Sequence, residues 1–158
     1  MNKLIERQTL NSKIKIGLIA LVSSLGLYIA LSFLLFNIYA LFWFDKECLM
    51  NKDLTRMMAE LNRFIWFTFI GRIFKIVVII SLPFFKKDKI FWLFPALITV
   101  GLSFTYPMRI FNHWLRVDIA ESIDIWLNVL FLVVTLGLVF ILMKYFLQLK
   151  LSEGKYRH

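Results

Sequence analysis

One stretch of the chain, residues 64–85, constrains the fold more than any other. It reads FIWFTFIGRIFKIVVIISLPFF, and Arg72 and Lys75 are its only charged residues. A transmembrane helix needs about 20 consecutive, mostly apolar residues, so this stretch is long enough to cross a bilayer. On insertion scales, each cation near the centre of such a helix costs roughly 2.5–3.5 kcal/mol. Both cations therefore need a partner, a water-filled pocket or a route to the interface.

The composition of the chain indicates a membrane protein. Of its 158 residues, 60% are hydrophobic and 17% are aromatic, whereas soluble domains are about 45–50% apolar. The surplus is gathered into four runs, at residues 16–44, 64–85, 90–106 and 125–147. Lipid solvates the apolar faces of such helices, and each helix satisfies its own backbone groups. We therefore expect an all-α integral membrane protein, a single transmembrane domain over residues 1–158 that forms a four-helix up-down bundle.

The distribution of positive charge predicts the orientation. Eleven Lys and Arg residues lie in the N-terminal segment, the turn at 86–89 and the segment from Lys144 onwards, against six in the two other connections. Because cytoplasmic loops are enriched in Lys and Arg, both termini and the turn should be cytoplasmic. The frequent Lys, Ile, Phe and Asn residues are typical of an AT-rich bacterial genome, so we expect a multi-pass protein of the bacterial inner membrane.

The two intramembrane cations have candidate partners in the fourth run. Helical side chains lean toward the N-terminus of their own helix, so Arg72 and Lys75 should lean toward the outer surface. The start of the fourth crossing carries Glu121, Asp124 and Asn128 on one face at a similar depth. The five residues are a candidate intramembrane polar cluster. Three interpretations stay open: an ion pairing that fixes helix docking, a functional polar cavity open to the outside, and contact with lipid headgroups by snorkelling.

Small residues in the first run predict a helix-packing face. Gly17, Ala20 and Ser24 lie at helical spacing on one side of the helix, and Gly26 and Ala30 lie on another side nearby. Small side chains let a second helix approach closely in a membrane. The alternative is that these residues face lipid.

The first long connection contains an apolar stripe just before the second crossing. Leu54, Met57, Met58 and Leu61 follow helical spacing there. The pattern is typical of a short amphipathic helix at the membrane interface. It fits equally well with the upper turns of the second crossing itself.

The sequence contains no catalytic signature. A single cysteine, Cys48, excludes an internal disulfide and a CxxC redox pair. His113 is the only histidine near the membrane, whereas metal and haem sites usually need several ligands at set spacing. Phosphate-binding glycine loops and hydrolase or metalloprotease motifs do not occur. We therefore predict a protein that is not an enzyme and that has no cofactor or metal.

These observations favour a function in binding rather than in chemistry. We expect a non-enzymatic membrane protein that binds, stabilises or inhibits another membrane protein, as an assembly or accessory subunit or as an immunity or exclusion factor. Its predicted partners are the lipid bilayer and another membrane protein or further copies of itself, and not nucleic acid. The alternative is a subunit of an oligomeric channel or transporter with a polar site around Arg72 and Lys75.

Overall fold

The computed structural model describes residues 2–44, 54–105 and 125–151. Within these ranges all regular structure is helical, which confirms the predicted all-helical fold with four helices. The elements in chain order are α1 (Asn2–Phe42), α2 (Leu54–Ser81), a 3-10 turn (Leu82–Phe85), α3 (Lys89–Ser103) and α4 (Ile125–Gln148).

Three of these helical segments are long and apolar enough to cross a membrane: Leu10–Phe42, Leu54–Phe85 and Trp126–Gln148. This agrees with the membrane class that the composition predicts. The third predicted crossing, 90–106, differs. Its helix α3 has 15 residues, about 22 Å at the helical rise, and the hydrocarbon layer of a bilayer is about 30 Å thick. By itself α3 is therefore shorter than a full crossing.

Helix α1 is the centre of the bundle. It packs against each of the other three helices, most extensively against α4. The buried core of α1 includes Ala20, Leu27, Tyr28 and Leu31, each at most 3% exposed. A helical stretch without charged residues is suited to such a position, because several of its faces are covered by other helices, while Leu18 and Val22 on its uncovered side are 58% and 69% exposed. The run of residues 16–44 without any charge is the sequence feature that makes this possible.

Two glycines of the predicted packing face lie where other helices approach α1. A methyl group at Gly17 would be 3.7 Å from Cζ of Phe91 on α3. A methyl group at Gly26 would be 3.7 Å from Cδ1 of Leu142 on α4. Gly17 thus faces α3, and Gly26 faces α4. Each glycine belongs to one of the two groups of small residues predicted from the sequence.

The remaining small residues of the predicted face are buried as well. Ala20 and Ala30 are 0% and 1% exposed. The hydroxyl oxygens of Ser24 and Thr99 are 2.6 Å apart, and Thr99 also donates a hydrogen bond to the carbonyl oxygen of Pro95. These contacts join α1 to α3, which continues as one helix through Pro95.

Helix α2 runs antiparallel to α1 and approaches it at a glycine. A methyl group at Gly71 would lie 3.1 Å from Cδ1 of Leu35. Nearer the start of α2, Tyr39 packs its ring on Phe64 and Phe67, with centroid distances of 5.2 and 5.0 Å. The stripe of residues 54–61 belongs to the same continuous helix. It therefore forms the upper turns of α2, the second of the two predicted arrangements.

Candidate functional site

Lys75 is buried against α1. It is 7% exposed, and its Nζ donates a hydrogen bond of 2.9 Å to Oγ of Ser32. The Ser32 hydroxyl in turn donates to the carbonyl oxygen of Tyr28. The same ammonium lies 4.6 Å from the centroid of the Tyr28 ring. Two side chains one turn apart on α1 thus stabilise the cation, one through a hydrogen bond and one through a cation–π contact.

Arg72 faces a different neighbour. Its side chain is half-buried, and its guanidinium lies 5.4 Å from the centroid of the Phe104 ring. Phe104 directly follows the last residue of α3. A helix C-terminus carries partial negative charge, so a cation is favoured beside it. The structure therefore separates the two cations, with Lys75 against α1 and Arg72 at the end of α3.

The predicted partners on the fourth run are described in part. Asn128 is 2% exposed in α4 and has a partner of its own. Glu121 and Asp124 lie outside the described residues, so their pairing with Arg72 and Lys75 stays a prediction. The contacts of Lys75 with α1 were not predicted. The sequence carries a partial signal, because Tyr28 and Ser32 are four residues apart and share one face of α1, but it does not show which helix lies against that face.

A buried carboxylate that the sequence analysis did not single out lies near the start of α2. Glu60 is 7% exposed and accepts a hydrogen bond from the Tyr39 hydroxyl at its Oε1. The guanidinium of Arg63 is 3.6 Å from Oε2, close enough for an ion pair but too far for a hydrogen bond. Oε2 is buried and accepts no hydrogen bond from any residue in the described ranges. Buried polar atoms are nearly always paired in proteins, so this exception is a candidate for recognition.

Glu60 lies in the wall of a groove with a volume of about 380 Å³. Its other walls are apolar or aromatic, and they include the whole predicted stripe of α2. The stripe is exposed, with Leu54 at 76%, Met58 at 64%, Leu61 at 52% and Met57 at 43%. We call this surface the Glu60 groove; it is lined by Tyr39, Phe44, Leu54, Met57, Met58, Glu60, Leu61 and Phe64.

The chemistry of the Glu60 groove is that of a recognition site. It offers one carboxylate, held by one phenol, among aliphatic, thioether and aromatic side chains. In the described ranges, no three His, Cys, Asp or Glu residues lie close enough together to hold a metal ion. The groove can bind an apolar surface that carries one hydrogen-bond donor.

No protein-family model, no curated protein and no solved structure matches the chain. The residues of the Glu60 groove are therefore the basis for a functional proposal.

Proposed function

We propose that this protein is a non-enzymatic membrane protein that binds another membrane protein through the Glu60 groove. Its role would be that of an assembly or accessory subunit, or of an inhibitor of the immunity or exclusion type. The observation that carries the proposal is the buried Oε2 of Glu60, which pairs with Arg63 at 3.6 Å but accepts no hydrogen bond from the described residues, in an otherwise apolar groove. Leaving such an atom unsatisfied costs about 1–3 kcal/mol, and a donor from a partner would recover that cost.

The predicted position of the groove favours a protein over lipid tails as its occupant. Residues 64–85, the predicted crossing, extend about 33 Å at the helical rise and suffice to fill the hydrocarbon layer. Glu60 then lies about 6 Å beyond its outer edge, and Leu54 about 15 Å beyond. At that height the exposed apolar stripe meets headgroups and water, not acyl chains. A partner that covers the stripe would remove it from water.

The charge of Glu60 argues for a different protein and against a second copy. In a two-fold dimer the same patch faces itself, which would bring two Glu60 carboxylates together, and like charges repel even though each carboxylate keeps its ion pair with the half-exposed Arg63. We infer that the partner inserts a helix with apolar side chains around one N–H or O–H donor. The flexible side chains of Met57 and Met58 can adapt to such a surface.

Site-specific photocrosslinking tests the proposal. A photoreactive amino acid at Met58, inside the groove, should capture one membrane protein that the same probe at Val77 does not capture. Val77 is a matched control because it is 58% exposed on the same helix, away from the groove. Glu60→Gln keeps an acceptor for Tyr39 but replaces Oε2 by an amide that donates. It should lower the yield at Met58 about tenfold or more, because a hydrogen bond to a charged group contributes about 1.5–3 kcal/mol.

Two outcomes would overturn the proposal. One is a probe at Met58 that captures only lipid or further copies of the same chain. The other is a crosslink from Met58 that Glu60→Gln leaves unchanged. Asp88→Asn removes the same charge at the far end of the molecule and should leave the crosslink unchanged.

We propose the finer topology as well. Four crossings in an up-down bundle would place both termini and the turn at 86–89 in the cytoplasm of a bacterial cell, with the protein in the inner membrane. The count of Lys and Arg on the two sides supports this orientation. Residues 90–106, which include all of α3 except its first residue, would form the third crossing.

The second candidate function is a subunit of an oligomeric channel or transporter. One observation favours it: the ammonium of Lys75 is buried and bonded to a serine in the middle of a predicted crossing, and intramembrane cations often mark ion pathways. In this case Lys75→Gln would abolish anion flux into liposomes while the fold persists. Persistence of any such flux in the variant would exclude this role.

A further inference from the structure

A second cavity lies at the opposite end of the bundle from the Glu60 groove. It has a volume of about 400 Å³ and is formed where the turn after α2 meets the end of α4. Among the described residues, its lining includes Lys86, Lys87 and Lys150 and one acidic residue, Asp88. These four residues carry an excess of two positive charges. We call this space the lysine cavity.

Lys86 is held rigidly in the wall of the lysine cavity. Its Nζ donates hydrogen bonds to the carbonyl oxygens of Leu147 and Leu149, at the C-terminal end of α4. It also lies 4.5 Å from the centroid of the Trp92 ring, which is 2% exposed. A lysine that bonds the last carbonyl groups of a helix stabilises that end. Lys86 therefore contributes to the fold, and its hydrogen bonds set the orientation of its side chain.

The other two cations, Lys87 and Lys150, are exposed. Burial and the nearby ammonium of Lys150 lower the pKa of Lys86 below its ordinary value. The ammonium groups of Lys86 and Lys150 therefore repel each other, and an anion between them would offset this repulsion.

We propose that the lysine cavity binds the phosphate of an anionic phospholipid headgroup. The phosphate would lie between Lys87 and Lys150, with Lys86 behind it. The source is lipid because the cavity lies directly at the end of the predicted crossing 64–85. Exposed apolar side chains begin there, including Phe85 at 76%, and acyl chains can lie along them. Basic pockets at the cytoplasmic ends of membrane helices are suited to such headgroups.

The proposal is independent of the Glu60 groove and is tested with the full-length chain. The protein is reconstituted in nanodiscs of phosphatidylcholine with increasing phosphatidylglycerol, and bound lipid is counted by native mass spectrometry. The test variant is Lys87→Gln with Lys150→Gln; Lys86 is left intact because it caps α4. The control is Lys13→Gln with Lys15→Gln, which removes the same charge from exposed positions on the same predicted side of the membrane.

The wild type should retain phosphatidylglycerol selectively over phosphatidylcholine. The test variant should bind phosphatidylglycerol about 25-fold more weakly, about fivefold for each lysine near the headgroup. The control should lose no more than about twofold. An equal melting temperature of variant and wild type in phosphatidylcholine alone shows that the variant is folded.

Two results would overturn the proposal. Equal losses in the test and control variants would show a general attraction of surface charge and not a site. Displacement of bound phosphatidylglycerol by millimolar inorganic phosphate would identify a free anion and not a lipid as the occupant. Retention of the lipid under excess inorganic phosphate supports the lipid as the source.

Discussion

The contact between Lys75 and α1 makes a prediction whose magnitude can be worked from the structure. A hydrogen bond from an ammonium to Ser32 contributes about 1.5–3 kcal/mol. The cation–π contact with Tyr28 adds up to about 2 kcal/mol where water is excluded. Together they offset the roughly 2.5–3.5 kcal/mol that a cation costs near the centre of a crossing. The free energy gained from these two contacts therefore roughly equals the cost of placing the cation in the crossing.

Removing the Ser32 hydroxyl should destabilise the fold more than removing the cation. We expect Ser32→Ala to lower the free energy of unfolding by about 1.5–3 kcal/mol, because it leaves the ammonium buried with one bond fewer. We expect Lys75→Met to change it by no more than about 1–2 kcal/mol, because the cost and the gain disappear together. In the double variant, Ser32→Ala should add almost nothing to Lys75→Met.

Reversible unfolding in bicelles by steric trapping measures all three free energies. The matched control is Ser23→Ala, since the Ser23 hydroxyl bonds only the carbonyl oxygen of Ile19 within α1 in the described structure, and we expect a change below about 1 kcal/mol. If Ser32→Ala behaves like Ser23→Ala while Lys75→Met costs more than 3 kcal/mol, the reasoning is refuted. Lys75 would then contribute a net stabilisation that its contacts with α1 do not explain.

Three further predictions follow from single positions. Gly71→Val should lower the free energy of unfolding by about 1–3 kcal/mol, because a leucine of α1 already lies against the glycine. Gly137→Ala should leave it unchanged or raise it, because no described atom lies within 4 Å of the added methyl group. Steric trapping measures both changes. Because burial and the Lys150 ammonium lower the pKa of Lys86, the Lys86 ammonium should lose its proton before the exposed lysines as pH rises, and Lys150→Gln should raise this pKa, as NMR of ¹³C-methylated lysines can measure. Cys48, the single cysteine, lies in a predicted outer connection, so a membrane-impermeant maleimide should label it in intact cells; labelling only after lysis would reverse the proposed orientation.

The helices could be predicted closely where apolar runs end at polar residues. The fourth run, 125–147, coincides with α4 to within one residue. The first helix was predicted from residue 16, but α1 already begins at Asn2. Its polar first part is rich in Leu, Ile, Glu, Arg and Lys, which form helices well without being apolar as a group. Hydropathy therefore predicts which part of a helix is apolar enough to cross a membrane, but it does not predict where the helix begins.

The partners of polar residues could not be predicted in the same way. The free-energy cost of placing Lys75 in a crossing follows from its sequence position alone. Its contact with Ser32 depends on which helix lies beside α2, and periodicity does not contain that information. Glu60 was overlooked for a related reason. A glutamate with arginines nearby in sequence is typical of a solvated helix face, and its burial arises from Tyr39, which is 21 residues away.

The packing of the last helix on the first has a consequence for how the protein is made. Helix α1 is synthesised before α4, the helix against which it packs most extensively. Until α4 has been made, the side of α1 around Gly26 lacks the leucine that covers it in the folded bundle. A nascent chain interrupted before residue 125 thus displays an uncovered small-residue surface.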